Sequence, residues 1–330
     1  ANFSIYESWS SFDIAILTNV VLSLFAYSFA LGWMLNSVIF KNHFNDEDFI
    51  SKLAYSFISS MTLNIMFGVL AVLQLTLSRN FFIFTVILLI SFYTITSLKC
   101  NYFEIKIKLQ ELFILVFMLF SSLSYVIIPH LVSFPLPYHD PFNNLANILQ
   151  LAKYKVFEHP IPFFHLYFVN ITAILPIVPA VNWWILSSIL LAFTPISYMF
   201  MVKNMTSDTL FRKLCYIFYF LGPSTVGIYL LLDQRNFDLF SPLKFDAMLR
   251  SEWYWSAQSN IIPRYLNALN MIALPNLMMF IGQFFKRRLS PLDIVASFCL
   301  GLINIIYPIY SIMATMMGLL SIIFWRKDLP

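Results

Sequence analysis

The side chains best equipped for chemistry gather in one window, residues 129–165, which reads PHLVSFPLPYHDPFNNLANILQLAKYKVFEHPIPFFH. Four of the five histidines fall inside it, His130, His139, His159 and His165, together with Asp140 and Glu158. An even spread would leave about half a histidine in a window of this size. Imidazoles and carboxylates are the usual groups for moving protons and for holding metal ions. A metal centre built from His139, Asp140, Glu158 and His159 is not expected. Adjacent residues on a helix point in different directions, and the i, i+4 arrangement that good helical sites use is missing. Asp140 also has a plain structural reading, because Asp is a good N-cap and Pro141 suits the first helical position.

A second polar segment, 233–264, carries Arg235, Lys244, Arg250 and Arg264, with Trp253, Tyr254 and Trp255 in a row. Two readings stay open for it. One is an interfacial aromatic belt with snorkelling basic side chains. The other is a ligand site, in which arginine forks bind phosphate and tryptophan rings stack on a sugar face.

Composition sets the elements that must position these groups. Of the 330 residues, 60% are hydrophobic and 11% charged, and the mean hydropathy is +0.77. An ordinary soluble domain carries about 25% charged residues, so this chain cannot cover a water-facing surface. That excludes a soluble enzyme, a disordered protein and a disulfide-stapled secreted domain. The apolar runs are long and lack the two-residue alternation of an outer-membrane barrel. The expected fold is all-α: a polytopic membrane helix bundle of about eight to ten transmembrane helices. Residues 1–330 then form a single transmembrane domain with two long polar loops, 129–162 and 233–264.

The charge-free runs are 15–40, 53–77, 81–98, 112–128, 163–202, 214–232, 265–284 and 294–324. Pro176 and Pro179 cut the fifth, and Pro308 interrupts the last, so neither is one ordinary straight pass. No Asp, Glu, Lys or Arg lies in the middle of a run, and His165 sits near one end of its own. Intramembrane charges mark ion pathways and proton relays, so their absence argues against a pump, a charge-coupled transporter or a voltage sensor. With 36 Phe against 7 Gly, the helix interfaces are expected to be filled by aromatic rings, helped by Ser. Such a bias also suits an AT-rich genome. The three cysteines, Cys100, Cys215 and Cys299, form no ligand or disulfide pattern. The net charge of +4 is spread over several loops, so nucleic acid is not an expected partner. No basic segment precedes the first apolar run, so no cleavable signal peptide is expected. Lys/Arg clusters around 41–52, 99–108, 203–213 and 286–288 are expected on the cytoplasmic side, with 129–162 facing the other. This holds only if 163–202 crosses an odd number of times. The cluster at 286–288 reads as a topology signal or a contact for anionic lipid.

After Asp140-Pro141, the residues Leu145, Ile148, Leu149 and Ala152 share one face at helical spacing. They predict an amphipathic helix lying on the membrane, ended by Pro160 and Pro162. The order is then transmembrane helix, extended stretch, Asp, surface helix, Pro-rich re-entry, next helix. Over roughly residues 120–200 that order, with Tyr138-His139-Asp140-Pro141 and His159-Pro160-Ile161-Pro162-Phe163-Phe164-His165, resembles the GT-C superfamily of integral membrane glycosyltransferases. The resemblance implies transfer of a sugar from a polyprenyl-phosphate donor. Asp140 would be the base on the acceptor hydroxyl or the holder of a divalent cation, with His139 and Glu158 as further catalytic candidates. Arg250 and Arg264 would bind the donor phosphate, and Trp253, Trp255 and His165 would complete the substrate site. Implied partners are membrane lipids and a lipid-linked sugar donor, in the endoplasmic reticulum or a prokaryotic plasma membrane.

Two other readings fit the same composition. One is a non-catalytic membrane subunit of a larger assembly, such as an organelle-encoded respiratory-chain subunit in the mitochondrial inner membrane, with other membrane subunits as partners. The other is a neutral-solute transporter with Pro-broken helices.

Overall fold

A computed structural model of the chain describes residues 26–99, 109, 111–116, 139–154, 162–174, 193–217, 274–286, 289–304 and 316. Every regular element among them is helical. A π-helical turn, Ala26–Ala30, runs into α1, Leu31–Ile39. Then follow α2, Lys41–Asp46, α3, Phe49–Leu73, α4, Leu75–Lys99, and α5, His139–Tyr154. The remaining labelled helices are α6, Pro162–Ile174, α7, Phe193–Met205, α8, Leu274–Phe284, and α9, Pro291–Asn304.

The long helix α3 is the hub. Its start is fixed by Asp48, whose Oδ1 accepts from the backbone N–H of Ile50 (3.0 Å) and Ser51 (3.2 Å). Those N–H groups have no partner inside the helix, which is why a carboxylate there sets the first turn. At 25 residues α3 extends about 37 Å. Helices α3 and α4 are both long and apolar enough to cross a membrane.

Contacts along α3 give the direction of each neighbour. Tyr27 reaches Asn64 and Asn36 reaches Ser59, so the chain through α1 runs antiparallel to α3. Leu166 lies against Gly68 and Asn170 against Asn64, so α6 is antiparallel too and starts near the C-terminal end of α3. Phe193 stacks on Phe57 at 3.8 Å, and Phe200 meets Tyr55 edge-on. Helix α7 therefore runs toward the N-terminal end of α3, so the stretch 162–205 begins at one end of α3 and finishes at the other. Helix α8 ends at the same place as α7, and α9 turns back after it.

Three expectations are met in part. The charge-free runs 53–77 and 81–98 do not coincide with the helices. Only Gln74, in extended backbone, interrupts the helices, and α4 folds back at once, with the Ser78 hydroxyl donating to the Phe67 carbonyl (2.9 Å). The charged Arg79 misled the reading because a helix tolerates a charge near its exposed start. Interfaces were expected to rely on rings in place of glycine. Rings do fill them, with Phe29 on Phe57, Trp33 on Phe44 and Phe67 on Phe82. Yet two of the scarce glycines, Gly32 and Gly68, sit at crossings with α3 and α6. A Cβ on Gly32 would collide with the Ser56 carbonyl, and one on Gly68 with the Leu166 carbonyl. Close backbone approach needs a missing side chain only at the crossing itself. Finally, the predicted face of the helix after Asp140 is met in part, since Ile148 is buried and Ala152 packs against the core. Ile148 and Leu151 are buried and join the core, whereas Leu149 is 41% exposed. The helix is seated against α6, and i, i+3 spacing carries that contact.

Candidate functional site

Two polar constellations stand inside this apolar bundle, and α3 carries part of each. The first lies at mid-height. Asn64 and Asn170 are fully buried, on α3 and α6. The Asn64 amide donates to the Tyr27 carbonyl (2.9 Å), and the Asn170 amide donates to the Tyr27 hydroxyl (3.0 Å) and to Asn64 Oδ1 (3.3 Å). Ser78 donates to Asn170 Oδ1 (3.0 Å), and the Tyr27 hydroxyl donates to the Tyr167 carbonyl (2.9 Å). The π-helical turn at Ala26–Ala30 displaces the normal ladder, and Gly32 N–H donates to the Ser60 hydroxyl (2.6 Å). Each group satisfies another, so the network fixes the register of four chain segments without a charge.

The second constellation is ionic and sits at the N-terminal end of α3. Ser290, Pro291 and Asp293 form a reciprocal cap on α9. Asp293 Oδ2 accepts from the Ser290 N–H and hydroxyl (2.7 Å each), and Asp293 N–H donates to Ser290 Oγ (3.2 Å). The same carboxylate accepts from the Tyr55 hydroxyl of α3 and from Lys286 Nζ (3.0 and 3.1 Å). Lys286 also pairs with Glu47 and donates to the Tyr55 hydroxyl (3.2 Å). Beside it Lys203 of α7 pairs with Asp48. Asp293 is fully buried, and a charge there is tolerable only because every donor is aimed at it. Burial alone would raise the Asp48 carboxyl, but the charge and hydrogen bond of Lys203 and the hydrogen bonds of Ser51 outweigh it and hold it below the ordinary range. Chemically this is a fastening for the α2–α3 turn, α3, α7, α8 and α9. Among the described residues no group of three or more His, Cys, Asp or Glu could hold a metal ion.

The sequence reading missed both constellations. The cluster at 286–288 is expected to be a topology signal or a contact for anionic lipid, yet the Lys286 ammonium turns inward onto two carboxylates. The visible signals were Ser-Pro-Leu-Asp at 290–293, a cap pattern, and Asn64 and Asn170 standing alone in apolar surroundings.

The expected site residues fare differently. His139 and Asp140 fall in the first turn of α5, and their side chains lie outside the described ones. His165 is buried at 4% exposure in the first turns of α6, near the C-terminal end of α3. Glu158, Arg250, Trp253, Trp255 and Arg264 lie outside the described residues. No known protein family, curated protein or solved structure matches the chain.

Proposed function

We propose that the chain is an integral membrane protein that transfers a sugar from a polyprenyl-phosphate donor at the membrane surface. Membrane embedding is supported by α4. Within Thr76–Ile95 only 11% of the residues of an apolar 18-residue window are buried, and Phe81, Phe84, Ile87, Phe92 and Ile95 are exposed. Water would penalise that surface heavily. The hydroxyls of Ser91 and Thr94 fold back onto the carbonyls of Ile87 and Ile90, as polar groups in hydrocarbon must.

One observation carries the glycosyl-transfer reading. Helix α5 begins at His139, with Asp140 in its first turn, and is held against α6, which starts at the end of α3 far from the ionic fastening. A carboxylate on a helix docked beside a membrane span can receive the acceptor proton as the anomeric bond breaks. The test is Asp140→Asn in the purified protein with a polyprenyl-phosphate sugar. Asn matches Asp in size and shape but cannot take up a proton, so folding should persist while turnover falls about 100-fold or more. Unchanged turnover removes the role from Asp140.

A second reading, a non-catalytic subunit of a membrane assembly, is favoured by the same exposed rings of α4, which could seat neighbouring helices. Under that reading the purified chain transfers no sugar and α4 cross-links to a partner protein.

A further inference from the structure

We infer that a cavity beside the ionic fastening is a binding site for a phosphate-bearing lipid headgroup; this rests on the membrane reading above. The cavity measures about 120 Å³ and lies between α7, the helical segments 209–217 and 111–116, and the start of α3. Lys203, Arg212 and Lys213 line it, with the hydroxyl-bearing Thr209 and Tyr216, and among the described lining residues Glu111 is the one carboxylate. Three cations against one anion leave the lining net positive even after Asp48 has taken up Lys203.

The cations are not equivalent. Arg212 is already aimed, because its Nε donates to the Thr206 carbonyl (2.8 Å) and one terminal nitrogen to the Lys203 carbonyl (3.4 Å). Those bonds use two of five N–H donors, leaving the rest of the fork for a ligand. Lys213 is exposed and has no ion pair among the described residues. Together they offer the fork and point charge that phosphate oxygens accept. The remaining wall is apolar, with Ile50, Ile114 and Met199. A free inorganic anion has no use for such a wall, whereas a phosphodiester on an acyl-bearing glycerol does.

The depth agrees. Ile50 belongs to the first turn of α3, so the cavity lies where that span would leave the hydrocarbon. On the adjoining segment Leu210, Phe211, Leu214 and Ile217 are exposed, a surface suited to acyl chains running down from the headgroup. The phosphate would sit at the interface, where juxtamembrane basic residues attract anionic lipids.

The experiment uses the full chain, purified in neutral detergent. Its extraction from membranes is tested first: release by alkaline carbonate without detergent defeats the membrane reading and, with it, this site. For protein that stays embedded, thermal unfolding is followed while bicelles containing an anionic phosphatidylglycerol, a zwitterionic phosphatidylcholine, or inorganic phosphate alone are titrated in. The expected result is saturable stabilisation by the anionic lipid only. Lys213→Gln should weaken its apparent affinity about tenfold, as loss of a charged hydrogen bond does. Lys213→Arg should restore it. Arg79→Gln, which removes the same charge at the other end of α3, should leave it unchanged. Equal stabilisation by inorganic phosphate would reassign the site to a soluble anion. Equal effects of the two lipids, or equal losses in the Lys213 and Arg79 variants, would overturn it.

Discussion

Lys286 and Asp293 are seven residues apart, and their pairing across the α8–α9 turn closes a buried charge cluster. Removing one partner of such a pair leaves the other charge without compensation, at a cost of about 3–5 kcal/mol. Lys286→Met should therefore lower the unfolding midpoint in neutral detergent markedly, and adding Asp293→Asn should recover part of the loss. A single variant as stable as the parent would mean that the cluster fastens nothing. Asp48 makes a different prediction, about pH. Its carboxyl is held below the ordinary range, so the unfolded chain takes up a proton there before the folded one does. The Lys203 pair thus contributes fully above about pH 4 and fades as pH falls through the depressed folded value. The stability gap between the parent and Asp48→Asn, which keeps the cap, should be widest near neutrality and should shrink in acid. Only part of this was legible in the sequence. The caps at Asp48 and Asp293 follow from residue type and spacing. The meeting of Tyr55 with Lys286, 231 positions away, is tertiary and leaves no local trace.

At the scale of elements, hydrophobic runs located the helices but not their joints. Charge-free residues 53–77 fall largely within α3, whose true start at Phe49, four residues before that run, is set by the cap at Asp48. The hairpin at Gln74 was invisible because neither proline nor glycine marks it. Glycine was misjudged for a related reason: composition counts residues, whereas packing depends on where they stand. Gly68 and Gly301 make the contrast testable, since both are helical. At Gly68 an added methyl meets the α6 backbone, which cannot yield as a side-chain tip can. Gly68→Ala should cost about 1–3 kcal/mol by overpacking. At Gly301 nothing lies within 4 Å of the added Cβ. There the helical preference of Ala should dominate, stabilising by about 0.5–1 kcal/mol. Opposite signs in the two unfolding midpoints are expected. Equal signs would refute the close crossing of α3 and α6.

For the whole molecule, the all-helical architecture followed from composition, while the arrangement around α3 required long-range contacts. The ends of α3 now differ in character. Lys203, Lys286 and their carboxylates crowd the N-terminal end, and α6 starts near the other. Positively charged short loops are retained on the cytoplasmic side, so under the proposed membrane embedding the ionic end is expected in the cytoplasm and α5 on the opposite face. Asn45 and Gln74 are exposed markers of the two ends. With Cys100, Cys215 and Cys299 replaced by Ser, Asn45→Cys should react with an impermeant maleimide only from the cytoplasmic side, and Gln74→Cys only from the other. A helix of about 37 Å is long enough to keep both thiols clear of a hydrocarbon core of about 30 Å. Labelling of both from one side would mean that α3 does not span. Labelling of each from the side opposite to expectation would keep the span but invert the molecule. Asp140 would then face the cytoplasm, against the side expected for the loop 129–162.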